Sequence, residues 1–129
     1  MDHRIGKVVN HLNSHFEQRI SFRELALMVN LSPSRLRHIF RVEVGMSLAK
    51  YVKILRLNRA RELLETTFLS IKQIQVITGM NDESHFFRDF KRAYKLTPTK
   101  YREVFVDTDL RKDSVEILPT GKIVKVASK

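Results

Sequence analysis

Phe22-Arg23-Glu24-Leu25-Ala26-Leu27-Met28-Val29-Asn30-Leu31 runs into Ser32-Pro33-Ser34-Arg35-Leu36-Arg37-His38-Ile39-Phe40-Arg41, and the chain carries this pattern twice. Phe22 to Leu31 aligns with Ile71 to Met80 at an offset of 49, and Leu36 to Tyr51 aligns with Phe86 to Tyr101 at an offset of 50. The second copy has one extra residue in its turn, Gly79-Met80-Asn81-Asp82 against Asn30-Leu31-Ser32. The alignment pairs Leu25 with Ile74, Leu36 with Phe86, Phe40 with Phe90, Arg41 with Lys91, Ser47 with Thr97 and Tyr51 with Tyr101. Each copy reads as a short helix, a tight turn and a second helix. That is the helix-turn-helix pattern, whose second helix can enter a DNA major groove.

Helix boundaries around the repeat follow from capping chemistry. A Ser or Thr oxygen accepts from an orphan N–H, while apolar residues on either side of the cap clamp the entering chain. Ile20-Ser21-Phe22-Arg23-Glu24-Leu25 and Leu69-Ser70-Ile71-Lys72-Gln73-Ile74 read as full capping boxes. Leu31-Ser32-Pro33 and Leu96-Thr97-Pro98 add proline at the first helical position, where its missing N–H costs nothing. Met46-Ser47 opens a further helix stapled by Tyr51, and Asp82 caps the helix that contains Phe86. Asn30, Gly45 and Gly79 stand where left-handed terminating residues belong. A first helix over residues 2–15 places Ile5, Val8, Val9 and Leu12 at helical spacing. The helix from Leu48 to about Glu65 spans roughly 27 Å.

The expected fold is therefore all-α: about seven helices forming two helix-turn-helix subdomains joined by a long linker helix. The expected boundaries are 1–46, 47–66 for the linker helix, 67–106, and a tail at 107–129. In the tail, Val115-Glu116-Ile117 and Ile123-Val124-Lys125-Val126 flank Pro119-Thr120-Gly121, which reads either as a short β-hairpin or as a disordered segment.

Charge points to the partner. The 129 residues carry 24 Lys+Arg against 14 Asp+Glu, a net of +10. Residues 1–106 hold 19 basic and 10 acidic residues, while Ser32 to Arg61 hold 8 basic residues and a single acid, Glu43. That concentration suits a polyanion. The chain has no cysteine, which excludes disulfides, a thiolate nucleophile and Cys-based zinc sites and is compatible with a cytoplasmic setting. No apolar run approaches membrane-spanning length, and no signal peptide is expected. His11 and His15 lie one helical turn apart, but no HExxH or third ligand accompanies them, so no metal site or cofactor is expected. P-loop, GxGxxG and GxSxG motifs are absent too, so the chain does not read as an enzyme.

Ser70-Ile71-Lys72-Gln73-Ile74, Thr78-Gly79-Met80, Ser84-His85-Phe86-Phe87-Arg88-Asp89-Phe90-Lys91-Arg92 and Thr97-Pro98-Thr99-Lys100-Tyr101-Arg102 resemble the signature of AraC/XylS-type bacterial transcription regulators. Leu31 to Arg41 is similar to that family's upstream motif, and the resemblance covers about Arg4 to Phe105. Gln75 stands where the family usually has alanine, Lys95 where it has glycine, and Met80 where phenylalanine is common. The resemblance implies a sequence-specific regulator of transcription, expected to be an activator. It would place two recognition helices in successive major grooves of double-stranded DNA, with RNA polymerase as a further contact. The reading begins almost at residue 1, so an effector or dimerisation domain is expected to be absent. A stand-alone regulator and a fragment of a longer one both fit.

Expected base contacts are Ser34, Arg37 and His38, the family's reading positions, on the first recognition helix, and Glu83, Ser84, His85 and Arg88 on the second. Arginine can bind guanine bidentately, and Glu83 could accept from cytosine. Expected phosphate contacts are Arg35, Arg41, Lys53, Arg56 and Lys100, together with the helix starts capped by Ser21, Ser70 and Thr97. Asp82 and Asp89, if exposed, would oppose binding, so the second subdomain should add less affinity. Phe40, Phe86 and Phe90 are expected in the core, and Phe87 is left between core and surface. The alternative function is a non-specific architectural nucleic-acid-binding protein.

Overall fold

In the computed structural model, which describes residues 2–110, 114–117 and 123–126, seven helices form in the expected order. They are α1 (His3–His15), α2 (Phe22–Met28), α3 (Pro33–Val44), α4 (Leu48–Thr66), α5 (Ile71–Ile77), α6 (Glu83–Tyr94) and α7 (Pro98–Leu110). An antiparallel strand pair follows, β1 (Ser114–Ile117) and β2 (Ile123–Val126), with Ile117 opposite Ile123. Of the two readings of the tail, the paired strands are the one present; residues 118–122 lie outside the described residues.

The caps act where the sequence puts them. Ser32, Ser47 and Thr97 each accept from the N–H three residues on. The Asp82 carboxylate accepts from His85 N–H at 2.8 Å. Ser70 and Gln73 form both halves of a capping box. At Ser21 the box is a single bond, with the hydroxyl accepting from Glu24 N–H at 3.2 Å.

The repeat extends to backbone geometry. Asn30 (φ 58) and Gly79 (φ 79) are equivalent left-handed residues ending α2 and α5. Leu31 N–H reaches Ala26 O, and Met80 N–H reaches Gln75 O, so both copies make the same 6→1 turn. Gly45 (φ 88) and Lys95 (φ 66) likewise end α3 and α6. The left-handed turn is thus kept at both sites, while glycine occupies one member of each pair.

Packing divides the chain into two units, Met1–Arg56 and Leu57–Lys129, so the boundary falls inside α4. In the first unit Ile5, Val8, Leu12, Leu25, Leu36, Phe40, Leu48 and Val52 are buried together. In the second, Leu57, Ala60, Leu63, Leu64, Ile74, Phe86, Phe90, Tyr94 and Tyr101 are. The linker helix therefore belongs half to each core and is not an element apart. Burying one such aliphatic or Phe side chain is worth about 1.5–3 kcal/mol. Phe87 is half-buried, edge-on to Phe86 at 5.8 Å, and packs against the second core.

One arginine closes each unit in the same manner. Arg56 donates from Nε to Phe16 O at 2.8 Å and from Nη2 to Gln18 O at 2.9 Å, tying α4 to the loop after α1. Arg102 donates to the carbonyls of Leu64, Thr67 and Leu69, tying α7 to the end of α4 and the loop after it. Tyrosines add a second tie: Tyr51 OH donates to Asn13 Oδ1 at 2.8 Å, and the equivalent Tyr101 OH donates to Glu65. Among the described residues, no helix is long and apolar enough to cross a membrane.

Candidate nucleic-acid interface

Helix α3 buries Leu36 and Phe40, half-buries Ile39, and turns every expected reader outward. Ser34, Arg35, Arg37, His38 and Arg41 are all exposed. Among the described residues, no carboxylate lies within ion-pair distance of Arg35, Arg37 or Arg41. Phe22, Arg37, His38, Arg41, Ser47, Leu48 and Ala49 line a cleft of about 280 Å³. The start of α4, a 19-residue helix, therefore stands beside three basic side chains. Orphan N–H groups and the positive end of the helix dipole favour an anion there. Sequence reasoning credited Ser21, Ser70 and Thr97 with such a role and passed over Ser47, although the Met46-Ser47 cap signal was present.

Helix α6 buries Phe86 and Phe90 and exposes Glu83, Ser84, His85 and Arg88. His85 and Arg88 have acidic neighbours, whereas Lys91 and Arg92 are exposed with no carboxylate within ion-pair distance among the described residues. His85 Nδ1 lies 3.7 Å from Asp82 Oδ1, and Arg88 Nε lies 3.7 Å from Asp89 Oδ1. The bond from His85 N–H is the main reason the Asp82 carboxyl titrates below its ordinary range, and the charges of His85 and Arg88 add to it. Asp89 is 7% exposed, so it does not face solvent as a repelling charge.

The expected phosphate ligands separate into groups. Arg35, Arg41 and Lys53 are exposed. Lys100 is exposed as well, with Glu103 at 3.5 Å. Arg56 differs from these: two of its donors go to backbone carbonyls, clamping α4 to the loop after α1, and burial draws its guanidinium below its ordinary pKa. The Ser21, Ser70 and Thr97 oxygens accept as caps, which leaves each hydroxyl its O–H donor beside the backbone N–H groups of those helix starts.

Two cores each presenting an outward recognition helix define a tandem helix-turn-helix protein. A family model described as a helix-turn-helix domain matches residues 25–103. A transcriptional regulator from Chromobacterium violaceum, described as having an AraC-type DNA-binding domain, is similar at 31% identity. The match covers 78% of this chain and 89% of that one, with a TM-score of 0.70. The chain belongs to the AraC-type helix-turn-helix family. The arabinose operon regulatory protein of Escherichia coli is 31% identical over 103 residues, which are 79% of this chain and 35% of the relative. The chain thus spans about a third of that regulator's length. The DNA-binding domain of AdpA, solved with a target DNA, shares the fold at 21% identity and a TM-score of 0.76, covering 84% of this chain and 96% of that one.

Proposed function

We propose that the chain is a sequence-specific double-stranded DNA-binding regulator of transcription in the cytoplasm. The observation that carries this reading is the outer face of α3. Arg35, Arg37, His38 and Arg41 stand there exposed, and no acid among the described residues neutralises the arginines. Ser34, Arg37 and His38 read base edges, while Arg35, Arg41 and the N–H groups at the start of α4 hold phosphate. On α6, Glu83, Ser84, His85 and Arg88 read a second half-site. Lys53 and Lys100 supply further phosphate contacts.

The affinity is unequally divided. Helix α3 offers unengaged arginines, whereas the two cationic readers of α6, His85 and Arg88, already have acidic neighbours. The half-sites lie about one helical turn apart, or 10–10.5 base pairs centre to centre. Activation through contact with RNA polymerase completes the reading. It draws on the relatives, one of which, from Mannheimia succiniciproducens, is named a transcriptional activator.

Selection from a randomised duplex pool, followed by binding titrations at fixed salt, tests the proposal. The expected result is a selected site with two conserved blocks and affinity at least ~10³-fold above random DNA. Equal affinity for every sequence would overturn it and favour the architectural alternative.

A further inference from the structure

We infer that Phe87 is a specificity-determining residue, set against the methyl group of one thymine in the half-site of the second unit. The inference deepens the proposed reading of DNA by α6 and rests on it.

The repeat supplies the position. An offset of 50 matches Phe87 to Arg37, an expected reader on α3 that lines a cleft together with His38 and Arg41. On α6 the same three places hold Phe87, Arg88 and Lys91. Ser84 and Lys91, three residues before Phe87 and four after it, share its side of the helix, and both are exposed, as is Arg88. Phe86 and Phe90 are fully buried, whereas Phe87 is half-buried. Its ring stands edge-on to Phe86, with centroids 5.8 Å apart and an interplanar angle of 87°. Phe87 therefore leans on the core, and the part left to solvent lies beside the α6 readers.

Phenylalanine in place of arginine changes what can be read there. A phenyl ring has no donor for guanine O6 or N7. Packed on the edge of guanine, adenine or cytosine, it would strip water from polar atoms without replacing their hydrogen bonds. Thymine alone among the four bases carries an apolar group, its C5 methyl, on the major-groove edge. A ring already braced by the core loses little freedom on meeting that methyl. The two units are thereby matched to unlike half-sites, one suited to guanine through Arg37 and the other to thymine through Phe87.

The test uses the full chain and its selected site. Each thymine is replaced in turn by uracil, which removes the methyl and keeps every hydrogen-bonding group. At one thymine the parent chain should lose about fourfold in affinity, the worth of one methyl group hidden from water. Phe87→Ala should bind the thymine and uracil duplexes alike at that position and keep the parent's response at all others. If Phe87→Ala fails to fold, Phe87→Leu serves, with a smaller thymine-over-uracil ratio at the same position. Equal affinity of the parent for every sequence would overturn the proposed function and this inference with it. If a site is selected but none of its thymines is sensitive to uracil, or the Phe87 variants keep the parent's ratio at every thymine, only the inference falls.

Discussion

Lys95 ends α6 at φ 66, where a Cβ crowds the neighbouring carbonyl at a cost of about 1–2 kcal/mol. Its counterpart Gly45 meets the same turn at φ 88 without that penalty. Lys95→Gly should raise stability by about 1 kcal/mol, net of the extra chain entropy of glycine. Denaturant unfolding reads this directly, and a lower midpoint would mean that the lysine side chain makes a contact worth more than the strain. Gln75 is a second exception. It is 2% exposed, and its Oε1 has no hydrogen-bond partner, whereas the equivalent residue of the first unit is Ala26. A buried unpaired carbonyl costs about 1–3 kcal/mol. Gln75→Met keeps the volume and removes that oxygen, so a gain of about 1 kcal/mol is expected in the same assay. Gln75→Ala is the less informative change, because the vacated volume offsets the gain.

Elements were read well wherever a local device specifies them. Six caps, the left-handed residues Asn30, Gly45 and Gly79, and the period of Leu36 and Phe40 placed the helix starts to within a residue, while α7 runs to Leu110, four residues past the expected boundary at 106. The sequence did not reveal which long side chains turn inward, because that depends on loops brought together by tertiary packing. Arg56, expected on phosphate, gives two donors to backbone carbonyls, and Asp89, whose exposure the sequence left open, is buried. The Tyr101 tie was equally hidden, since Glu65 lies 36 residues away. Its chemistry gives a pH prediction. Burial, then the bond to Glu65, raises the Tyr101 hydroxyl above the ordinary tyrosine value, and burial also raises Tyr94. A raised folded-state pKa contributes stability that is complete below the unfolded value near 10 and is lost as pH rises through the folded one. Thermal unfolding from pH 8 to 11.5 should therefore show stability falling above about pH 10. Tyr101→Phe should shallow that fall while lowering stability at neutral pH. An unchanged alkaline slope in the variant would remove Tyr101 as the cause.

For the whole molecule, net charge alone would draw any polyanion, and every arginine on α3 would then count equally. Arg37 and Arg41 make that distinction measurable, because each is exposed and each substitution removes one positive charge. If Arg41 sits on phosphate, Arg41→Ala weakens all duplexes by a similar factor. It also reduces the slope of log K against log salt by about 0.9, one released counterion. If Arg37 reads a guanine, Arg37→Ala leaves most of that slope in place and costs about 1–3 kcal/mol of discrimination at one base pair. Titrations at four salt concentrations against the selected site and a scrambled duplex separate the two effects. Long-range attraction predicts matching changes for the pair of variants, because both charges lie on one face of the same helix. Contact-specific recognition predicts that the variants diverge, with the salt slope following Arg41 and the base preference following Arg37. Identical slopes and preferences in the two variants would reduce the α3 face to a general polyanion surface.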